Sequence, residues 1–195
     1  GAINCTTNPS FCSKLLVSDR AYLDNVIDSV VRAVDDDSVA ADLVYQKTAE
    51  RIMRRFRPLY EYTKGACGYV TIQADPREDD DADLIIKAAL RHRKLGTNYM
   101  AKIPVIEAGI AAIETMVKED IPTCATEIFS LSQAICICER WEAAVKKYGN
   151  RPPFFTTHIT GIFDQHLGNV VKARGIDIAP GVLAQAGCCV GRREY

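Results

Sequence analysis

Short runs of apolar and β-branched residues recur along this chain, each followed by a stretch with helical periodicity, and that alternation constrains its fold most. The strand-like runs are 2–7, 68–73, 99–104, 122–129 and 154–160. Helical spacing of apolar residues marks 21–33, with Leu23, Val26, Ile27, Val30 and Val31, and 38–62, with Leu43, Val44, Ile52, Phe56 and Leu59. Further helical patterns cover 82–94, 107–119 and 132–147, and the remainder, 163–173 and 180–195, is again helical. The punctuation agrees. Asn8-Pro9 and Ala74-Asp75-Pro76 stop strands, Asp35-Asp36-Asp37 and the acidic stretch 78–81 suit helix starts, and Gly96 closes a helix. Pro58 marks a break or kink in the longest helix, and Trp141 should pack at the inner edge of its own.

Strands alternating with full helices define βαβ units and a parallel sheet. A chain of 195 residues buries one sizeable core, so a single domain over 1–195 is expected. Several strands end in polar side chains: Thr7 and Asn8, Gln73, Lys102, Thr126, then Thr157 and His158. In a closed (β/α)8 TIM-type barrel those ends gather at one rim, where chemistry takes place. Only five strands are legible against the eight such a barrel needs, so the expectation is part of a barrel, incomplete at both ends. An open doubly wound sheet is the alternative that needs no further strands.

Composition narrows the function. Lys and Arg total 24 against 25 Asp and Glu, so no excess positive charge favours nucleic acid or an anionic membrane. No GxGxxG follows a strand, and no run is long enough to span a bilayer. Of the eight cysteines, Cys5 and Cys124 lie in strands and Cys136, Cys138, Cys188 and Cys189 in apolar helical stretches; paired CxxC spacing is lacking, and only three histidines could complete a metal site. They read as small buried hydrophobes of a reducing compartment, which points to the cytoplasm and to chemistry without a metal or other cofactor.

The chemical candidate is Lys102, in the run Tyr99-Met100-Ala101-Lys102-Ile103-Pro104. An amine at the dry end of a strand loses hydration of its charged form and is biased toward the neutral form that attacks a carbonyl. The plainer reading is a lysine flanking a core strand with its head in solvent.

Four segments change that balance. Thr6-Thr7-Asn8-Pro9-Ser10, Gly68-Tyr69-Val70-Thr71-Ile72, Ala101-Lys102-Ile103-Pro104 with Glu107-Ala108-Gly109-Ile110, and Ile128-Phe129-Ser130-Leu131-Ser132-Gln133-Ala134 resemble, in order, landmarks of the transaldolase family. That resemblance implies a (β/α)8 class I aldolase of carbohydrate metabolism. It implies a Schiff base between Lys102 and a ketose, either a sugar or a sugar phosphate, with an aldehyde as acceptor. By the same resemblance Asn8, after Thr7, orients substrate hydroxyls, and Thr126 holds the water that relays protons.

The chain departs from the family pattern at three places. Gln73 stands where the family usually has glutamate, and Cys124 where asparagine is common. Thr157-His158-Ile159-Thr160-Gly161-Ile162 replaces a segment that ends in a phosphate-binding arginine. Thr157 and His158 remain substrate-binding candidates, His158 because its ring exchanges protons near neutrality. Each candidate has a plainer role. Asn8 can shape the turn, Thr126 can be a good β former, Gln73 can satisfy a loop amide, and His158 can be structural. Glu127 should face away from Thr126 into the helical layer and pair with a basic group, and Asp164 and His166 read as helix cap and surface residues. A non-catalytic barrel module is the competing reading. Unpaired parallel edges invite pairing with another chain, so a homo-oligomer is one expected outcome.

Overall fold

Five parallel strands, β1 (Cys5–Thr6), β2 (Val70–Gln73), β3 (Tyr99–Pro104), β4 (Thr123–Ile128) and β5 (Phe154–His158), lie side by side in chain order in a computed structural model that describes residues 1–194. Helices α1 (Phe11–Ser18), α2 (Arg20–Val31) and α3 (Asp37–Tyr62) follow β1, and α4 (Ala82–His92) follows β2. Next come α5 (Glu107–Lys118) after β3 and α6 (Leu131–Tyr148) after β4. After β5 come α7 (Gly161–Arg174), α8 (Pro180–Leu183) and α9 (Ala186–Glu194).

Sequential strand order with right-handed crossovers puts every connecting helix on one side of the sheet. The helices accordingly pack on their neighbours, α4 on α5 and α5 on α6, and the sheet curls into a half-barrel. A doubly wound sheet would reverse its strand order at a switch point; this one does not.

Most expected elements stand within two or three residues of their sequence boundaries. The differences have local causes. β1 shrinks to two residues because side chains take over its ladder: Asn4 Oδ1 accepts from Tyr69 N (2.9 Å), and Thr7 N donates to Thr71 Oγ1 (3.1 Å). Helix α1 was not expected, since Leu15 alone is buried and leaves no periodic signal. The longest helix runs through Pro58 without a break, and Asp36 caps it by accepting from Val39 N (2.9 Å). The pattern at 82–94 divides into α4 and a 3-10 turn at Arg93–Leu95 before Gly96. The last helical stretch becomes α8 and α9, and Tyr195 lies outside the described residues.

Period-two burial sorts the strands. Val70, Ile72, Tyr99, Ala101 and Ile103 face the helices, packing with Tyr45, Ala49, Met53, Ile85, Ala89, Ala112 and Met116. Ala125 and Ile128 do the same against Ile113, Ile137 and Trp141, whose ring stacks on Phe154 at 5.1 Å. Thr71, Gln73, Met100, Lys102, Cys124 and Thr126 are left for the inner face. All eight cysteines are free, and no helix among the described residues is long and apolar enough to cross a membrane.

Candidate active site

Lys102 projects from the inner face because its neighbours Ala101 and Ile103 are committed to the helical core. Strand register sets Gln73, Lys102 and Cys124 in one row across β2, β3 and β4. The half-buried amine donates to the Thr7 carbonyl at 3.5 Å. Thr7 is itself fixed on every side. Its hydroxyl donates to Thr71 O (2.6 Å) and lies 2.7 Å from the Tyr45 hydroxyl, which also accepts from Gln73 N (3.3 Å). Tyr45, from α3, thereby ties the ends of β1 and β2 together below the amine. Burial pushes its phenol up to about 12, so it serves as a neutral donor and acceptor.

On the other flank, Cys124 Sγ lies 3.9 Å from Thr157 Oγ1, which donates to Ala125 O at 3.3 Å. Burial raises the Cys124 thiol, and the Thr157 contact and the Lys102 charge only partly oppose that. A neutral thiol beside an amine is a weak hydrogen-bond partner rather than a nucleophile. Thr126, 1% exposed and opposite Pro104, follows Cys124 on the inner face by strand alternation.

Strict alternation then fails. The β4–β5 register shifts between Ala125 and Ile128, and Glu127 has a φ of 62°. The expected outward glutamate is instead re-aimed inward by this bulge, against the original expectation of a basic partner in the helical layer. Its Oε1 accepts from Gln73 Nε2 at 3.4 Å. Gln133, at the start of α6, holds the bulge: its Nε2 donates to Val105 O (2.9 Å) and Glu127 O (3.2 Å), while its Oε1 accepts from Phe129 N (2.9 Å).

Asp79, in the turn before α4, completes this side. Burial chiefly, and then the nearby Glu127 charge, push its carboxyl up to about 6, against a smaller opposing pull from the Gln73 amide. Its Oδ1 is buried without a hydrogen-bond partner. Neither carboxylate was read from sequence as part of this site. Asp79 is one of four acids in a row whose charge is explained by a helix start, and Glu127 needed the bulge to reach the inner face.

Two candidates stand apart from this group. Asn8 is exposed at the rim, accepting from Ser10 Oγ (2.7 Å) and, through its carbonyl, from Phe11 N (2.9 Å); this is the turn-shaping geometry. His158 is a correction to the expected inner cluster. Its Nδ1 lies 2.8 Å from Glu194 Oε2 and its Nε2 3.3 Å from Thr156 Oγ1, so it faces α9 and not Lys102. Alternation along β5 puts it there: Phe154 stacks on Trp141 of the helical layer, so Thr156 and His158 share that face and Thr157 takes the other.

The family model described as transaldolase/fructose-6-phosphate aldolase matches residues 1–159. Among curated proteins the chain is similar to transaldolase 1 of Streptomyces avermitilis, with 30% identity over 99% of this chain and 53% of that protein. It is similar to the transaldolase of Kocuria rhizophila at 28% identity, over 99% of this chain and 54% of that protein. For the transaldolase of Trichodesmium erythraeum the identity is 27%, over 100% of this chain and 56% of that protein. The chain spans about half the length of the curated relatives it matches.

Proposed function

This chain belongs to the transaldolase/fructose-6-phosphate aldolase family, and on that footing we propose that it is a class I aldolase acting through a Schiff base on Lys102. The observation that carries this reading is the single amine on the inner face at the end of β3, flanked in register by Gln73 and Cys124 and oriented by the Thr7 carbonyl. The neutral amine attacks the ketone carbon of a ketose, or ketose phosphate, and loss of water gives an iminium. That iminium accepts the electron pair released when the adjacent carbon–carbon bond breaks, which divides one hard step into easier ones. The resulting enamine adds to an aldehyde acceptor, and hydrolysis frees Lys102. Thr126 would hold the hydrolytic water, with Asn8, Cys124 and Thr157 contacting the sugar, Thr7 presenting its carbonyl to the amine and Gln73 acting as a neutral hydrogen-bonding group.

Borohydride reduction in the presence of dihydroxyacetone or fructose 6-phosphate tests this. A stable adduct mapped to Lys102 by peptide mass is the expected result, together with its loss in Lys102→Met. Absence of any adduct would favour a non-catalytic module, the reading to which the uncharged Gln73 lends its support. Comparing products with and without an acceptor aldehyde separates transfer from simple aldol cleavage.

A further inference from the structure

Gln73 stands in register beside Lys102, and an amide cannot exchange the protons that Schiff-base chemistry requires. Two carboxyl groups nevertheless lie beside that amide. Gln73 is on β2 and Glu127 on β4, so their 3.4 Å hydrogen bond reaches across β3, the strand that carries Lys102. Glu127 attains this place only through a bulge and a left-handed backbone that a glutamate disfavours, and the Gln133 side chain holds both. Asp79 approaches the same amide from the segment after β2, its Oδ1 buried and unpartnered.

We propose that Asp79 and Glu127, gathered around Gln73, form the acid–base pair for the Lys102 Schiff base. This inference rests on the Schiff-base reading above. In the dehydration step the pair's proton passes to the carbinolamine hydroxyl. The C–O bond breaks with its electrons and leaves as water, while the nitrogen lone pair closes the C=N bond. In hydrolysis water adds to the iminium carbon and returns one proton to the pair.

The electrostatics suit proton exchange at Asp79. Asp79 faces Glu127 from β4 and Asp75 and Asp80 from its own segment, with Lys102 the cation on the inner face of β3 and Arg77 engaged by Asp75. Burial and these like charges bring Asp79 to about 6, where it both gives and takes protons near neutrality.

The test uses the full chain with Asp79→Asn, Glu127→Gln and the double variant Asp79→Asn/Gln73→Glu. Each variant is read for borohydride trapping on Lys102 and for the pH dependence of turnover. The single variants should lose about 100-fold or more in turnover, the usual range for an acid–base group. Glu127→Gln should also move the pH limb near 6 to lower pH, because removing the neighbouring negative charge eases ionisation of Asp79. Gln73→Glu should recover at least about 10-fold of the Asp79→Asn loss by returning a carboxylate to the same spot. Should Asp79→Asn fail to fold, the isosteric Glu127→Gln decides alone. Turnover and pH profile unchanged in the variants, with Lys102 still trapped in the parent chain, would overturn the pair and leave the Schiff base standing. No Lys102 adduct in the parent chain would overturn both.

Discussion

Asp42, on α3, sits 3.1 Å from Nε2 of His92 and 2.7 Å from Arg91, and accepts from Gln46 Nε2 at 2.7 Å. His92 is 1% exposed, so this carboxylate fastens a buried ring of α4 to α3. Burial pushes the Asp42 carboxyl up, yet His92, Arg91 and Gln46 together outweigh it and hold the group below its ordinary range. A folded-state value lowered in this way contributes stability that is complete above the unfolded carboxyl's 3.8 and is lost as pH falls through the lower folded value. Asp42→Asn should therefore cost about 1–3 kcal/mol near neutrality by weakening His92's partner. That difference should hold above pH 3.8 and shrink progressively in urea titrations carried below it. Nothing in the residue pattern announced this contact, because His92 and Asp42 are far apart in sequence and each reads as a surface charge.

At the scale of elements, the join between β3 and α5 shows packing overriding propensity. In a helix interior Ala is favoured over Gly by about 1 kcal/mol, so sequence logic makes Gly109 a candidate for stabilisation. A methyl there would instead overlap the carbonyl oxygen of Pro104 and press on Ile103 Cγ2. Gly109→Ala should destabilise by about 1–3 kcal/mol in denaturant unfolding. It should also slow borohydride trapping, since Pro104 closes the strand that carries Lys102. The long periodic helices and β3 were legible from sequence because their burial follows a regular period. The end of β4 was not, because Gln133 bends the strand through contacts made by the next helix.

For the whole molecule, the segment after β5 is secured from the helical side. The Glu194 side chain of α9 is 2% exposed and pairs with His158, and Gly187 N donates to Asp164 Oδ1 at 2.8 Å. His158→Ala should leave the Glu194 side chain buried without its ring partner, at a cost of about 1–3 kcal/mol. The expected signature is faster hydrogen exchange in α9 with the rate of Lys102 trapping unchanged; slower trapping instead would return His158 to the inner site. The helix-side hydrogen bond also shows why a histidine at a strand end reads ambiguously, since either face of the sheet can supply its partner.

By itself, the sequence determined the parallel βα architecture and the family, because hydrophobic period and short motifs are local properties, while the order of the strands came from the structure. It also singled out Lys102, whose orientation follows from simple alternation along a regular strand. Only the tertiary structure decided which polar groups surround that amine. The bulge at Glu127 and the inward carboxyl of Asp79 depend on contacts between residues distant in the chain, and no local period encodes them.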